Sequence, residues 1–191
     1  MTATELTRQR LIRTALELFT TRGYHDTTTA QIAKKAGIAE GTIYRHFASK
    51  QQLFNELYRA AQRWATKIVQ ETARERDAGP AKAQLTAVAQ GLVEGALRET
   101  GVVKLGLLEP PGGILDDESR KAAREFRLAL ERIVADGKAQ GSVRTGAVEI
   151  WVGVWLATIS HALDKVVAGE WKPADTGVRL VIDAAWKAIS A

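Results

Sequence analysis

The sequence predicts an all-α protein, and three observations predict it. Apolar residues recur at the i, i+3, i+4, i+7 spacing that gathers them on one helical face, segment after segment. No stretch shows the period-two alternation of a half-buried strand, and no internal repeat appears. Helix starts and stops stand where these segments begin and end: Thr28 with Gln31 and Ser49 with Gln52 are spaced as capping boxes, and Gly23, Gly37 and Gly141 follow the last periodic residues.

In chain order, the first helix is expected from about Thr4 to Arg22, with Ile12, Ala15, Leu16 and Phe19 as its buried stripe and Gly23 as its stop. A helix then starts at the Thr28 capping box, buries Ile32, Ala33 and Ala36, and stops at Gly37, where glycine accepts a left-handed conformation at little cost. Ile38 and Ile43 are spaced as a hydrophobic staple for the next helix, and Ile43 with Phe47 anchor it inward. That anchoring turns Glu40, Thr42, Tyr44, Arg45 and His46 to the flanks and the outside, a donor-rich set on a short helix of the kind a major groove admits. Lys50 stands at the first position of a fourth helix, where the helix dipole disfavours a cation, so a phosphate arriving there would explain it. With Thr28 and Gln31 at the preceding helix start, Thr42, Tyr44, Arg45, His46 and Lys50 are the candidate DNA contacts.

These residues carry a resemblance. From Leu11 to Phe54 the chain is similar to the DNA-binding domain of the TetR family of bacterial transcriptional regulators. The likeness lies in the F-x-x-x-G-Y run at Phe19 to Tyr24, the I-A-x-x-A-G run at Ile32 to Gly37 and the G-T-I-Y-x-H-F-x-S-K core from Gly41 to Lys50. One position departs: many members cap the recognition helix with Ser where this chain has Ala39, removing a bond worth about 1 kcal/mol. The resemblance implies that Tyr44, His46 and Lys50 touch phosphate, leaving Thr42 and Arg45 for bases. It also implies a palindromic double-stranded DNA operator, a homodimer and a small-molecule effector.

Composition agrees with this. The net charge is +5, and residues 1–60 hold nine Lys/Arg against five Asp/Glu, so the basic excess lies where DNA would sit. No segment reads as a membrane span, and Glu5 and Arg8 leave no apolar signal region behind Met1, so a cytoplasmic protein with no membrane partner is expected. Cysteine is absent, which removes disulfides and thiolate metal sites. His25, His46 and His161 fall on different elements without metal-ligand spacing, and G-x-S-x-G, P-loop and G-x-G-x-x-G motifs are missing. No metal, cofactor or enzymatic activity is therefore expected.

The remaining chain predicts a bundle. Helix four, from Lys50 to about Arg76, begins with core residues Leu53, Phe54 and Leu57 and then turns polar, as a lever leaving one domain for another would. The boundary is expected after residue 50, with the start of helix four to about residue 60 attached to the first domain and 61–191 forming a regulatory and dimerisation domain. Gly79-Pro80 opens a helix with Pro80 at its first position, whose stripe is Leu85, Val88, Ala89, Leu92, Val93, Ala96 and Leu97 and whose stop is Gly101. A short helix follows to Leu108. Glu109-Pro110-Pro111-Gly112-Gly113 must break the chain, and Asp116, Asp117 and Glu118 open a helix buried through Phe126, Ala129, Leu130 and Ile133.

The last two helices, about Val148 to Leu163 and after Pro173, are apolar on nearly every side, which a single small chain does not cover. They predict a homodimer through four helices, with Val178, Val181, Ile182 and Trp186 at the interface. Large aromatics beside small residues (Ala87, Gly91, Gly95, Gly106) predict an apolar cavity, with Trp151, Trp155, Thr158 and Glu109 as candidate effector contacts and Lys104 nearby. The function read from this is a sequence-specific DNA-binding regulator, a repressor released by a small, mostly apolar effector. The alternative is an all-α small-molecule-binding protein or enzyme with an incidental helix-turn-helix-like corner; specific, strongly salt-dependent duplex binding separates the two.

Overall fold

The computed structural model describes residues 2–75, 79–107 and 110–191. Among them the chain forms α1 (Ala3–Arg22), α2 (Thr29–Ala36), α3 (Glu40–Ile43), α4 (Lys50–Glu75), α5 (Ala81–Arg98), α6 (Thr100–Leu107), α7 (Asp117–Ala139), α8 (Val148–Val167) and α9 (Thr176–Ile189). No strand occurs among the described residues; Val143 and Ser190 form an isolated antiparallel bridge that ties the chain end to the turn after α7.

Helix ends follow local chemistry. Thr2 and Glu5 form a capping box at α1. Thr28 and Gln31 form the expected one at α2, with Gln31 N–H donating to Thr28 Oγ1 at 3.2 Å and Thr28 N–H to Gln31 Oε1 at 2.9 Å. Gly37 closes α2 at φ 68°, ψ 40°. At α3, Ala39 gives no side-chain cap, and the regular helix lasts four residues before turns carry the chain to Phe47.

Two buried clusters share the chain. One gathers Leu11, Leu18 and Phe19 of α1, Ile32 of α2, Ile43, Phe47 and the first two turns of α4. The other lies among α5, α7, α8, α9 and the later part of α4, around Trp155, Leu130 and Ile159. They interlock, because Leu105 of α6 and Ile114 of the following loop belong to the first cluster although they come from the second half of the sequence. Edge-on aromatic contacts among Phe19, Tyr24 and Phe54 at 5.1–5.3 Å hold α1 and α4 together.

Several expectations change. The central stripe of α1 is Leu11, Ala15, Leu18 and Phe19, while Ile12 and Leu16 are half-buried, because α1 packs on α2 and α4 with one side and on α6 with the next. Leu97 is exposed, and Pro80 is the N-cap of α5, not its first residue. Gly101 stops no helix; it lies inside α6, where an added Cβ would stand 2.7 Å from the Leu16 side chain, so it permits α1 and α6 to approach. Ile68 packs into the notch at Gly91 and the Trp64 ring into that at Gly95, and both glycines border an open groove of about 460 Å³ between α4 and α5.

On α8, Val152, Trp155, Ile159, Leu163 and Val166 pack into the bundle. Contrary to the sequence reading, this helix is long and apolar enough to cross a membrane by length and composition. Its buried face accounts for a third of that apolar span, and length and composition alone are weak evidence for a membrane helix. On α9, Val178 and Ile182 are buried within the same chain, together with Ala185 and Ile189, which removes both from the predicted dimer interface. The periodicity was wide enough to fit either side of the helix. The outward apolar residues are Ile150 and Ala157 on α8 and Leu180 and Ala184 on α9, with Val154, Val181 and Trp186 half-buried beside them.

Candidate DNA interface and effector cavity

The outer surface of α2 and α3 brings most of the sequence-predicted contacts together. Tyr44 and Arg45 are exposed, and Thr42 and His46 are half-buried. Arg45 Nη2 donates to Thr42 Oγ1 at 3.1 Å, which orients the guanidinium along the helix. Thr28 and Gln31 spend their oxygens as acceptors in the capping box, leaving the Gln31 amide NH2 and the Thr28 hydroxyl proton able to donate outward. Sequence reasoning missed a cross-link here. Thr29 Oγ1 donates to Glu40 Oε1 at 2.7 Å and lies 3.3 Å from the Tyr44 hydroxyl, so the start of α2 fixes side chains on both ends of α3.

Lys50 has a different local explanation from the one its position suggested. Its Nζ donates to Tyr24 O at 2.9 Å and Thr27 O at 2.8 Å and stands 4.2 Å from the Tyr24 ring centroid. The misplaced cation is neutralised by carbonyl dipoles and a π face without DNA, and it straps the α1–α2 loop to the start of α4. Arg8 pairs with Glu56 and lies over Phe47, and Lys35 pairs with Glu17. Arg10, Arg13 and Lys34 make no ion pair among the described residues, which leaves their charge free for phosphate.

The largest change concerns the effector site. Trp155 is 1% exposed in the middle of the bundle and borders none of the cavities. Trp151 is spent elsewhere: Nε1 donates to Thr145 O at 3.2 Å, Arg144 lies over the ring, and Gly146 packs against it. The Thr158 hydroxyl donates back to Val154 O at 2.9 Å. Glu109 lies outside the described residues. The paired tryptophans are core and loop-packing residues, and the space is on the neighbouring face of α8.

That space is a cavity of about 340 Å³ walled by Tyr58 and Gln62 of α4, Gly106 of α6, Phe126 and Arg127 of α7 and Leu156 of α8, with Gly153 and Ser160 completing the α8 side. It is within the size range of small-molecule sites. Deeper in, between Trp64, Leu92 and Leu163, the space narrows to about 10 Å³, so the bundle centre is filled. Of the small residues expected to leave space, Gly106 lines this cavity, and Gly91 and Gly95 line the groove between α4 and α5. Burial pushes the Tyr58 hydroxyl above its usual value, against the opposing pull of Arg127 and Gln62, so the phenol stays protonated.

A polar clasp joins this cavity to the DNA-binding cluster. Asn55, 1% exposed on α4, donates through Nδ2 to Ile114 O at 2.8 Å and accepts from Asp116 N–H at 2.9 Å. Gln51 donates to the same Ile114 carbonyl at 2.8 Å, and Arg59 pairs with Asp116 at 2.7 Å. Asp116 also caps α7 by accepting from Ser119 N–H at 2.8 Å. The start of α7, whose second and third turns wall the cavity, is thereby fixed to the helix that carries the recognition unit.

Comparison with known proteins agrees with this arrangement. Residues 11–57 match the family of bacterial regulatory proteins, tetR family. The chain is 33% identical over 172 residues to the HTH-type transcriptional regulator TcmR of Streptomyces glaucescens, covering 86% of this chain and 73% of TcmR. In three dimensions it resembles a tetR family transcription regulator from Shewanella sp. PV-4, with a TM-score of 0.73 at 23% identity over 97% of this chain and 98% of that one. It also resembles a gamma-butyrolactone receptor described as ArpA-like, with a TM-score of 0.71 at 19% identity over 98% of this chain and 100% of that one.

Proposed function

Because the chain belongs to the TetR family and is a helix-turn-helix DNA-binding transcriptional regulator, we propose that it is a dimeric repressor that leaves a palindromic operator when a small molecule enters the α4–α8 cavity. The observation that carries this is the shared use of α4. Tyr58 and Gln62 wall the cavity, and Tyr58 belongs with Leu53, Phe54 and Leu57, within the preceding turn and a half, to the core of the recognition unit. A ligand that prefers one placement of α4 therefore prefers one placement of α3, and its differential affinity shifts the protein between DNA-competent and DNA-free states. The likeness to a gamma-butyrolactone receptor supports ligand response without naming this chain's ligand.

Residues 1–60 act as the DNA-binding domain and 61–191 as the regulatory and dimerisation domain, consistent with the division of the two clusters along α4. Tyr44, His46 and Lys50 meet phosphate and Thr42 and Arg45 meet bases, with Thr28 and Gln31 at the edge of the contact. Lys50 would exchange its carbonyl partners for phosphate only if the Tyr24–Thr27 strap opens. The dimer forms through Ile150 and Val154 of α8 and Leu180, Val181 and Ala184 of α9, whose outward apolar face the single chain leaves uncovered.

The test is selection of random duplex DNA on the full-length protein, with mass measured in solution. A palindrome bound by a dimer is expected, and binding that falls steeply with salt. An unenriched pool, or a monomer bound to a single half-site, overturns the proposal.

A further inference from the structure

We infer that the α4–α8 cavity selects an anion: a small acid whose carboxylate or phenolate is met by Arg127 and Tyr58 while its apolar body lies against Phe126 and Leu156. This deepens the effector reading and rests on it. The argument comes from an account of the polar groups in the wall. Gln62 gives one of its two amide protons to Gly106 O at 2.9 Å and keeps the other, whereas the Ser160 hydroxyl donates its one proton to Leu156 O at 2.9 Å. The groups left with donors to spare are the Tyr58 hydroxyl, the second Gln62 amide proton and the Arg127 guanidinium, and of these Arg127 alone carries a charge.

Arg127 is the one formal charge among the described wall residues, and it makes no ion pair among the described residues. A planar guanidinium with unspent donors matches a carboxylate through two parallel bonds, and charge-assisted bonds of this kind are roughly twice as strong as neutral ones. Burial holds Tyr58 in its protonated, donating form, so it adds a second donor in place of a competing anion. The rest of the wall is apolar or small: Phe126, Leu156, Ala123, Pro110 and Gly153. No acid stands among the described wall residues, so among them a cationic ligand would meet Arg127 without a counter-charge.

The test uses three matched sets of probes on the full-length protein: 2-naphthoate, its amide and 2-naphthylmethylammonium; indole-3-acetate, its amide and tryptamine; decanoate, its amide and decylammonium. Calorimetric titration of the wild type is expected to show, in at least one set, the acid binding tenfold or more tighter than the amide and the amine not at all. Arg127→Gln should bring the acid down to the amide's affinity. Gly153→Leu, which projects a side chain into open space from a helical position that tolerates it, should abolish binding in every set.

Amides or amines that bind as tightly as the acids, or an acid preference that survives Arg127→Gln, would overturn the anion assignment and leave the effector reading standing. An acid that passes these tests but binds equally well with the selected operator duplex present would keep the assignment and remove its regulatory role. No binding by any probe, or binding that Gly153→Leu leaves intact, overturns the site itself.

Discussion

The cluster around Phe19 and Phe47 and the bundle around Trp155 are held together by different means. In the first, α1, α2 and α4 are delimited by neighbours in sequence, Thr2 with Glu5, Thr28 with Gln31, Ser49 with Gln52 and the left-handed Gly37, and α3 alone lacks a side-chain cap. In the second, helices fit by notches that distant residues fill, Trp64 at Gly95, Ile68 at Gly91, Ala81 and Val143 at Gly137. Capping bonds are local and each is worth about 1 kcal/mol, whereas notch packing is long-range and its errors cost several times more. The DNA-binding part should thus be adjustable in small steps, and the bundle should tolerate few changes.

The hardest blow to this contrast is Trp155→Ala. Removing a 1%-exposed tryptophan from the centre of the bundle should cost about 3–5 kcal/mol. Denaturant melts followed by the remaining tryptophans, Trp64, Trp151, Trp171 and Trp186, should report it, since residues 1–60 contain none. A variant of wild-type stability would mean that Trp155 borders space and not core.

Gly137→Ala should come next. A Cβ there would stand 2.6 Å from that of Ala81 and 2.9 Å from Val143, and the Ala81 Cβ cannot swing aside. Overpacking costs about 1–3 kcal/mol, which should outweigh the ~1 kcal/mol helix-propensity gain of Gly→Ala. A rise in melting temperature would show that α5 and α7 separate freely and that the notch account is wrong. For the other region the corresponding step is smaller and of opposite sign: Ala39→Ser should restore a cap to α3 and add about 1 kcal/mol. Slower amide hydrogen exchange at Gly41 and Thr42 is the measurement, and unchanged exchange would deny that α3 lacks only its cap.

This contrast also explains what could be read from the sequence. Thr28, Gln31, Gly37, Ile43 and Phe47 announce themselves because their partners lie within five residues. The all-α class, the helix order and most of the stripes on α5 and α7 were legible for the same reason. Gly101 was not, because a glycine that stops a helix and one that admits Leu16 from 85 positions away look alike in sequence. Val178 and Ile182 failed similarly: on a helix apolar nearly all round, spacing does not say which side the chain itself will cover. Lys50 was recognised as an anomaly, but its carbonyl partners belong to a loop 23–26 residues away. The cavity was anticipated from bulky residues beside small ones and from the break at Pro110; most of its wall was missed because it combines four helices, and Gly106 and Pro110 marked it.

The smallest effect should appear where the two regions meet. Asp116 lies partly desolvated, which works to raise its carboxyl, but bonds from Ser119 and Arg59 together outweigh this and hold it below its usual value. A carboxylate lowered on folding contributes stability that is present above its unfolded value of about 3.9 and is lost as pH falls through its folded value. Asp116 is largely open to water, so solvent screening keeps the contribution small. Acid alone does not isolate it, because Asp183, paired with Lys187, is shifted the same way. Asp116→Asn does, since asparagine still caps α7 but cannot carry the charge that Arg59 meets. The stability difference between wild type and Asp116→Asn should be present at pH 5 to 7 and shrink toward pH 3. A difference that stays constant with pH would mean that the clasp works through the cap and not the ion pair, and that the joint between cavity and recognition unit depends on Asn55.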